Sequence, residues 1–255
     1  MSIVSFRNAG RYGNQLFEIA ATYAYAKMHG IDFSVPNKTH DQFWQPVYYT
    51  HLANKNWIPG REDILINENG HEYQELFFDE SWKYDSKQIV LNGYFQSEKY
   101  FKEYRQEIID LFGYTNSFPK IGYTSVFVRR GDYLKYADKH PPATVEYLMT
   151  AMDFVNGMSG CTNFIYFSDD IDWCKNNIKS QKYNIEFCTG LPFDIELKYM
   201  SACEHQIGSN STFSWWAAWF NQNPNKICVA PKEWFGPGNS HLNTKDICPE
   251  NWIRL

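Results

Sequence analysis

The amino-acid sequence predicts an α/β protein with mainly parallel sheets, and three observations carry the prediction. Residues 2–6 alternate as a short strand, pass through the glycine-bearing loop Asn8-Ala-Gly-Arg-Tyr-Gly-Asn14, and enter a helical pattern over 15–29. Beyond residue 120, apolar strands alternate with helical segments, the pattern of a doubly wound sheet. At 255 residues the chain amounts to about 1.7 domains of ~150 residues, between one large domain and two small ones.

Each element follows from local spacing. In the first helix Leu16, Ile19, Ala20 and Tyr23 share a face. Residues 36–85 are rich in Asn, Pro, Trp and Tyr, carry no repeat and read as irregular. Residues 89–94 are predicted as strand and 98–112 as helix. The polar, proline-containing stretch from Asn116 to Lys120 then marks a boundary between domains 1–120 and 121–255. After it the pattern reads strand 125–129, helix 144–154, strand 163–167, helix 172–179 and strand 185–188. Helix 194–202, strand 205–208, helix 214–220 and strand 226–230 complete it.

Composition narrows the function classes. With 44% hydrophobic and 21% charged residues the chain is that of a folded globular protein, not a disordered one. Twenty-four basic against 29 acidic residues leave a net charge of −5, so no long-range field gathers nucleic acid, and an anion must be held by a local site. Aromatic residues reach 18%, which fits either core filler or the flat faces that line sugar and nucleotide-base sites. Cys161, Cys174, Cys188, Cys203, Cys228 and Cys248 form no C-x-x-C pair, which argues against zinc or a dithiol centre and for reduced, buried thiols. There is no run of 18 apolar residues and no basic-then-apolar leader, so the expected location is cytoplasmic, without a membrane span.

Four constellations could carry chemistry. Arg129-Arg130-Gly131-Asp132 follows an apolar strand, where two guanidiniums can fork onto a diphosphate or pair with Asp132 as a surface ion cluster. Ser209-Asn210-Ser211-Thr212 precedes a helix; one hydroxyl suffices for a cap, and three suggest a phosphate cradle. Asp169, Asp170 and Asp172 end another strand, where Asp170-x-Asp172 reads as a metal-binding pair, a helix cap with first-turn acids, or a carboxylate for a guanine edge or ribose. In the first loop Arg11 can reach a ligand and Gly13 permits close backbone approach. Histidines 29, 40, 51, 71, 140, 205 and 241 lack metal-ligand spacing; His140 draws interest because it follows the arginine pair.

Taken together, these segments resemble glycosyltransferase family 11, the α-1,2-fucosyltransferases. The resemblance rests on Gly10-Arg-Tyr-Gly-Asn-Gln-Leu-Phe17, Leu91-Asn-Gly-Tyr-Phe-Gln-Ser-Glu-Lys-Tyr-Phe101, Val128-Arg-Arg-Gly-Asp-Tyr133 and Met200-Ser-Ala-Cys-Glu-His205 leading into Asn210-Ser-Thr-Phe-Ser-Trp-Trp-Ala-Ala218. Phe167-Ser-Asp-Asp170 and Ala230-Pro-Lys-Glu-Trp-Phe235 fit the same pattern, in order and nearly end to end. It implies a GT-B-like fold of two facing Rossmann-like domains, acceptor side first and donor side second. It also implies GDP-fucose as donor, inversion at the sugar carbon, no required metal or other cofactor, and a glycan acceptor with a terminal β-galactoside. Carried over, Arg129 and Arg130 clamp the diphosphate, Asp169 or Asp170 meets guanine or ribose, and Ser209, Ser211 and Thr212, with Asn210 among them, complete the cradle. Asn14, with Arg11, Gly13 and Gln15 in the same loop, serves the fucose and acceptor. Asp132 is the one candidate base, or else it orients an arginine.

Two departures stand out. Phe127-Val-Arg-Arg replaces the family's usual His-x-Arg-Arg, removing an imidazole beside the donor; Gly-Arg-Tyr-Gly-Asn-Gln replaces Gly-Gly-Leu-Gly-Asn-Gln and is similar to the loop of protein O-fucosyltransferases. The alternatives are therefore the same fold with another GDP-sugar, or a sugar-binding protein without turnover. The implied setting is cytoplasmic, at the inner face of the membrane where lipid-linked glycans are modified, with soluble glycans as the other acceptor class.

Overall fold

Residues 2–7, 9–36, 46–61, 63–114 and 120–255 are described by the computed structural model. Apart from Lys120, the stretch expected to mark the domain boundary lies outside the described residues, as does His40. The chain forms two units: Met1–Phe112 with Asn243–Pro249, and Gly113–Leu242 with Glu250–Leu255. The division thus precedes residue 120, and a late segment belongs with the first unit.

The first unit begins with β1 (Ile3–Phe6), buried at every position, as a strand covered on both faces must be. It is followed by α1 (Tyr12–His29), β2 (Asp32–Phe33), β3 (Ile64–Asn67), β4 (Gln88–Asn92) and α2 (Arg105–Phe112). All strands are parallel, in the order β2-β1-β4-β3. Helix α1 starts at Tyr12, inside the predicted loop, and stops at Gly30, whose φ of +64° suits a residue without Cβ. β3 was hidden within the region read as irregular, because its three apolar residues sit between polar ones at the sheet edge. The helix expected over 98–112 is two short 3-10 turns before α2, with Ser97 capping the first through the Lys99 N–H.

The second unit holds β5 (Lys120–Val128), α3 (Val145–Ser159), β6 (Asn163–Ser168), α4 (Ile171–Asn177), β7 (Asn184–Phe187), α5 (Phe193–Ala202), β8 (Cys203–Ile207), α6 (Thr212–Phe220), β9 (Cys228–Ala230) and β10 (Ile253–Arg254). Its sheet is parallel throughout, in the order β10-β9-β8-β5-β6-β7. Strand alternation divides the core. Val126 and Val128 of β5 and Phe164 and Tyr166 of β6 pack with Leu148, Ala151, Met152 and Val155 of α3. The intervening Phe127 meets Phe213 of α6 at 5.3 Å, and Phe167 meets Tyr199 of α5 at 5.5 Å. The α/β reading, with Rossmann-like units of parallel strands, holds.

Much of the aromatic content is core. Trp215, Trp216, Trp219 and Phe220 of α6 are buried, so these rings fill space. Five of the six cysteines are buried, Cys188 is half-buried, and all are free thiols. Burial pushes the Cys174 thiol up to about 11, the behaviour of an inert core thiol. Among the described residues no helix is long and apolar enough to cross a membrane.

Candidate functional site

Three of the motifs meet at one edge of the second sheet. Strands β8, β5 and β6 are neighbours, and Ser209–Thr212, Arg129–Asp132 and Asp169–Asp170 follow their respective carboxyl ends. The chain leaves β5 toward β6 on one side and returns to β8 on the other, so the arginine pair sits at the switch point of the sheet. Open parallel sheets bind ligands there.

Side-chain pairing fixes both guanidiniums. Arg129 Nη1 lies 2.7 Å from Asp169 Oδ2, and its Nη2 is bonded to Asp132 Oδ1. Arg130 Nε lies 3.1 Å from Asp170 Oδ2, and its guanidinium stands 3.8 Å from the centre of the Trp173 ring. The Arg130 N–H also donates to Asp169 Oδ1 at 2.9 Å. Gly131 is required for this approach, since a Cβ there would lie 2.4 Å from Asp169 Oδ2. Asp169 and Asp170, expected as guanine or ribose partners, thus serve the arginines first. Asp170 is in addition the N-cap of α4, accepting the Trp173 N–H at 3.3 Å, whereas Asp172 is exposed and pairs with Lys175. Asp170 and Asp172 are therefore engaged separately.

Beside the arginines, α6 presents its N-terminus. Ser211 caps it by accepting the Phe213 N–H at 3.3 Å, and Ser214 Oγ donates to the Ser209 and Ser211 carbonyls. Thr212 opens the helix and is half-buried. Ser209 Oγ is buried and finds no hydrogen-bond partner among the described residues. An unpaired buried hydroxyl beside a helix N-terminus suits an anion that brings acceptor oxygens. Asn210 differs from its neighbours: its buried amide donates to the Trp234 carbonyl at 3.0 Å, which makes it a clamp on a neighbouring segment.

Phe127 is buried against Phe213 at the first turn of α6, so the ring standing in the family's histidine position supports the cradle as an apolar prop. His140 reaches the same edge by another route. Its ring stacks on Tyr133 at 5.0 Å and meets Phe235 at 5.5 Å, while Arg129 approaches the Tyr133 ring at 5.5 Å and Tyr133 donates to the Asn210 carbonyl. Burial lowers the His140 pKa and Asp132 opposes that shift. The sequence reading missed Tyr133, Trp173 and Glu196. The first two adjoin the charged motifs; the carboxyl of Glu196 is pushed up to about 7 by burial and by Asp169.

In the first unit the loop after β1 carries Arg11, has its Ala9 N–H held by Glu18 Oε1 at 2.9 Å, and leads into two amides, Asn14 and Gln15, at the start of α1. Gly10 has φ +73°, and a Cβ there would lie 2.2 Å from Asn14 Nδ2, so it is Gly10 that visibly permits close approach; Gly13 is buried in α1. Arg11 is the exposed N-cap residue of α1, and its charge opposes the burial that raises the Tyr48 pKa. Asn14 Oδ1 accepts from Gln96 Nε2 at 3.2 Å. Gln15, expected to touch substrate, is fully buried: its amide donates to the Gly10 and Pro46 carbonyls and accepts the Tyr48 N–H, so it ties the 46–48 segment to α1.

The model of the family described as Glycosyl transferase family 11 matches residues 3–255. The chain belongs to glycosyltransferase family 11. It is a glycosyltransferase. Among similar family members, an Escherichia coli protein named alpha-1,2-colitosyltransferase is 27% identical over 100% of this chain and 99% of its own length. The bovine (Bos taurus) galactoside 2-alpha-L-fucosyltransferase SEC1 is 27% identical over 82% of this chain and 62% of its own. Of solved structures, a variant of Arabidopsis thaliana FUT1 in complex with GDP aligns with a TM-score of 0.48 at 11% identity, covering 99% of this chain and 76% of that one.

Proposed function

We propose that this family 11 enzyme transfers L-fucose from GDP-fucose to O2 of a terminal galactoside, with inversion and without a metal ion. The observation that carries the reading is the arginine pair at the end of β5, flanked by the N-terminus of α6 with the unpartnered Ser209 hydroxyl. In the proposed reaction the acceptor oxygen attacks the anomeric carbon, the bond from that carbon to the phosphate oxygen breaks, its electron pair leaves with GDP, and the acceptor's proton passes to water. Arg129, Arg130 and the start of α6 neutralise the charge that gathers on the diphosphate, the task a divalent cation performs elsewhere. Asp132 acts through Arg129, to which it is bonded, rather than on the acceptor. The second unit takes the donor, while Asn14 and Arg11 of the first serve the sugar and acceptor.

A second reading, another GDP-sugar as donor, is favoured by two observations. Phe127 and Phe213 set two apolar rings beside the cradle, and a full-length relative bears the name of a colitosyltransferase. The test is GDP release from GDP-fucose in excess EDTA, with and without β-galactosides, followed by linkage analysis of the product. Acceptor-dependent release with an α-1,2 linkage is expected. Release from another GDP-sugar alone would replace fucose as the donor; GDP binding without turnover of any donor would reduce the protein to a binding role, and absence of GDP binding would sink the whole reading.

A further inference from the structure

Behind Asn14, the hydrogen bond from Gln96 and the turn that carries Gln96 lead back to a carboxylate the reaction does not touch. We propose that Glu68 and Gln96 are positioning residues, which fix the orientation in which Asn14 presents its amide to the sugar. This rests on the role given to Asn14 above.

Glu68 follows β3 directly, and its N–H donates to the Asn92 carbonyl at 2.9 Å, which anchors its backbone to the end of β4. Its Oε2 accepts the N–H groups of Tyr94 and Phe95, each at 2.8 Å, and its Oε1 accepts the Tyr100 hydroxyl at 3.0 Å. Three donors converge on one half-buried carboxylate. Burial raises its pKa, and the same three hydrogen bonds oppose the rise.

What the carboxylate holds is strained. Phe95 is fully buried with φ +51°, a conformation that non-glycine residues adopt at a cost and retain when their surroundings impose it. Glycine is equally demanded at Gly93, where a Cβ would lie 2.4 Å from Glu68 Cβ. The turn brings Gln96, itself 6% exposed, to Asn14. In the structure Gln96 donates through Nε2, so Asn14 turns its oxygen toward Gln96 and its NH2 group the other way. That NH2 lies where Gly10 lacks a side chain. Glu68 shapes the turn, the turn aims Gln96, and Gln96 selects one of the two orientations of the Asn14 amide.

The experiment compares kcat, KM and GDP affinity for Gln96→Glu, Gln96→Ala, Glu68→Gln, Glu68→Ala, Asn14→Ala and the double variant Asn14→Ala/Gln96→Ala. It uses whichever GDP-sugar the natural protein turns over, and thermal melting checks the fold. Gln96→Glu reverses the hydrogen bond, since a carboxylate demands the Asn14 NH2. The expected result is a fall in kcat of about tenfold or more with GDP affinity unchanged, and no further loss when Gln96→Ala is added to Asn14→Ala. Glu68→Gln, which keeps acceptor capacity for the turn, retains most of the kcat that Glu68→Ala loses. Should Glu68→Ala fail to fold, the Gln96 variants and Glu68→Gln decide alone. Unchanged kcat in Gln96→Glu, or losses that multiply in the double variant, would overturn the inference while leaving Asn14 its role. Full activity in Asn14→Ala would remove that role and the inference with it.

Discussion

Both units place a short loop between a buried strand and a helix, yet the loops after β1 and β5 differ in what fixes their side chains, chiefly amide hydrogen bonds beside the first and ion pairs in the second. The β5 loop carries two guanidiniums locked by three carboxylates, Asp132, Asp169 and Asp170. The β1 loop is shaped by amides, with Asn14 held by Gln96 and Gln15 bonded to backbone. A departing diphosphate needs guanidinium N–H groups held rigidly enough to fork onto its oxygens, which the paired carboxylates provide. Sugar hydroxyls need neutral groups whose donors and acceptors point the right way. On the proposed function, the contrast predicts that a rotated amide disables the first loop and a lost guanidinium the second.

The sharpest way to break this contrast is Arg129→Ala or Arg130→Ala. Each is expected to lower kcat by 10²–10³, about 2.7–4 kcal/mol of transition-state stabilisation, as for loss of an oxyanion-hole donor. Steady-state kinetics showing less than about a threefold loss would mean that leaving-group charge is met elsewhere. Next in size is Gln15→Ala, which removes a fully buried amide and its bonds to the partly exposed 46–48 segment; urea denaturation should show a loss of about 1–3 kcal/mol. A wild-type midpoint would return Gln15 to the substrate. Gly131→Ala should weaken GDP binding by about tenfold in calorimetry, because the added Cβ pushes Asp169 away from Arg129 and from the Arg130 N–H.

The smallest expected effect concerns pH. Glu196 is raised from 4.5 to about 7, so the folded state holds its proton more tightly than the unfolded one. Its contribution to stability is fully present below about pH 4.5 and is lost as pH rises through about 7. Ionisation also adds negative charge beside Asp169. GDP should therefore bind a few-fold more weakly at pH 8 than at pH 6, and Glu196→Gln should flatten that dependence; an identical slope in the variant would acquit Glu196.

The second unit was the more legible half. Its strands are apolar runs bounded by turn residues, and its motifs stand at strand ends, so β5, β6 and β8 and the three clusters after them could be read from spacing alone. Partnership could not. That Asp169 reaches Arg129 depends on β5 and β6 being neighbours, and that Asn210 turns to the Trp234 carbonyl depends on a segment 24 residues away. In the first unit β3 hid among polar residues, and Glu68 hid with it. Its importance arises from donors on Tyr94, Phe95 and Tyr100, distant in sequence and brought to it only by the pairing of β3 with β4.

The crowding of α6 has an optical consequence. Trp215 and Trp216 lie 5.0 Å apart, Trp215 and Trp219 are stacked at 6.2 Å, and Trp252 joins them at 5.5 Å, all behind the helix end that carries Ser211 and Thr212. Indoles this close share their excited states, so their near-ultraviolet dichroism reports relative orientation rather than the environment of one ring. On the proposed function the donor's diphosphate meets the start of this helix, so adding GDP should change the near-ultraviolet dichroism of the cluster, a readout of donor occupancy that needs no label.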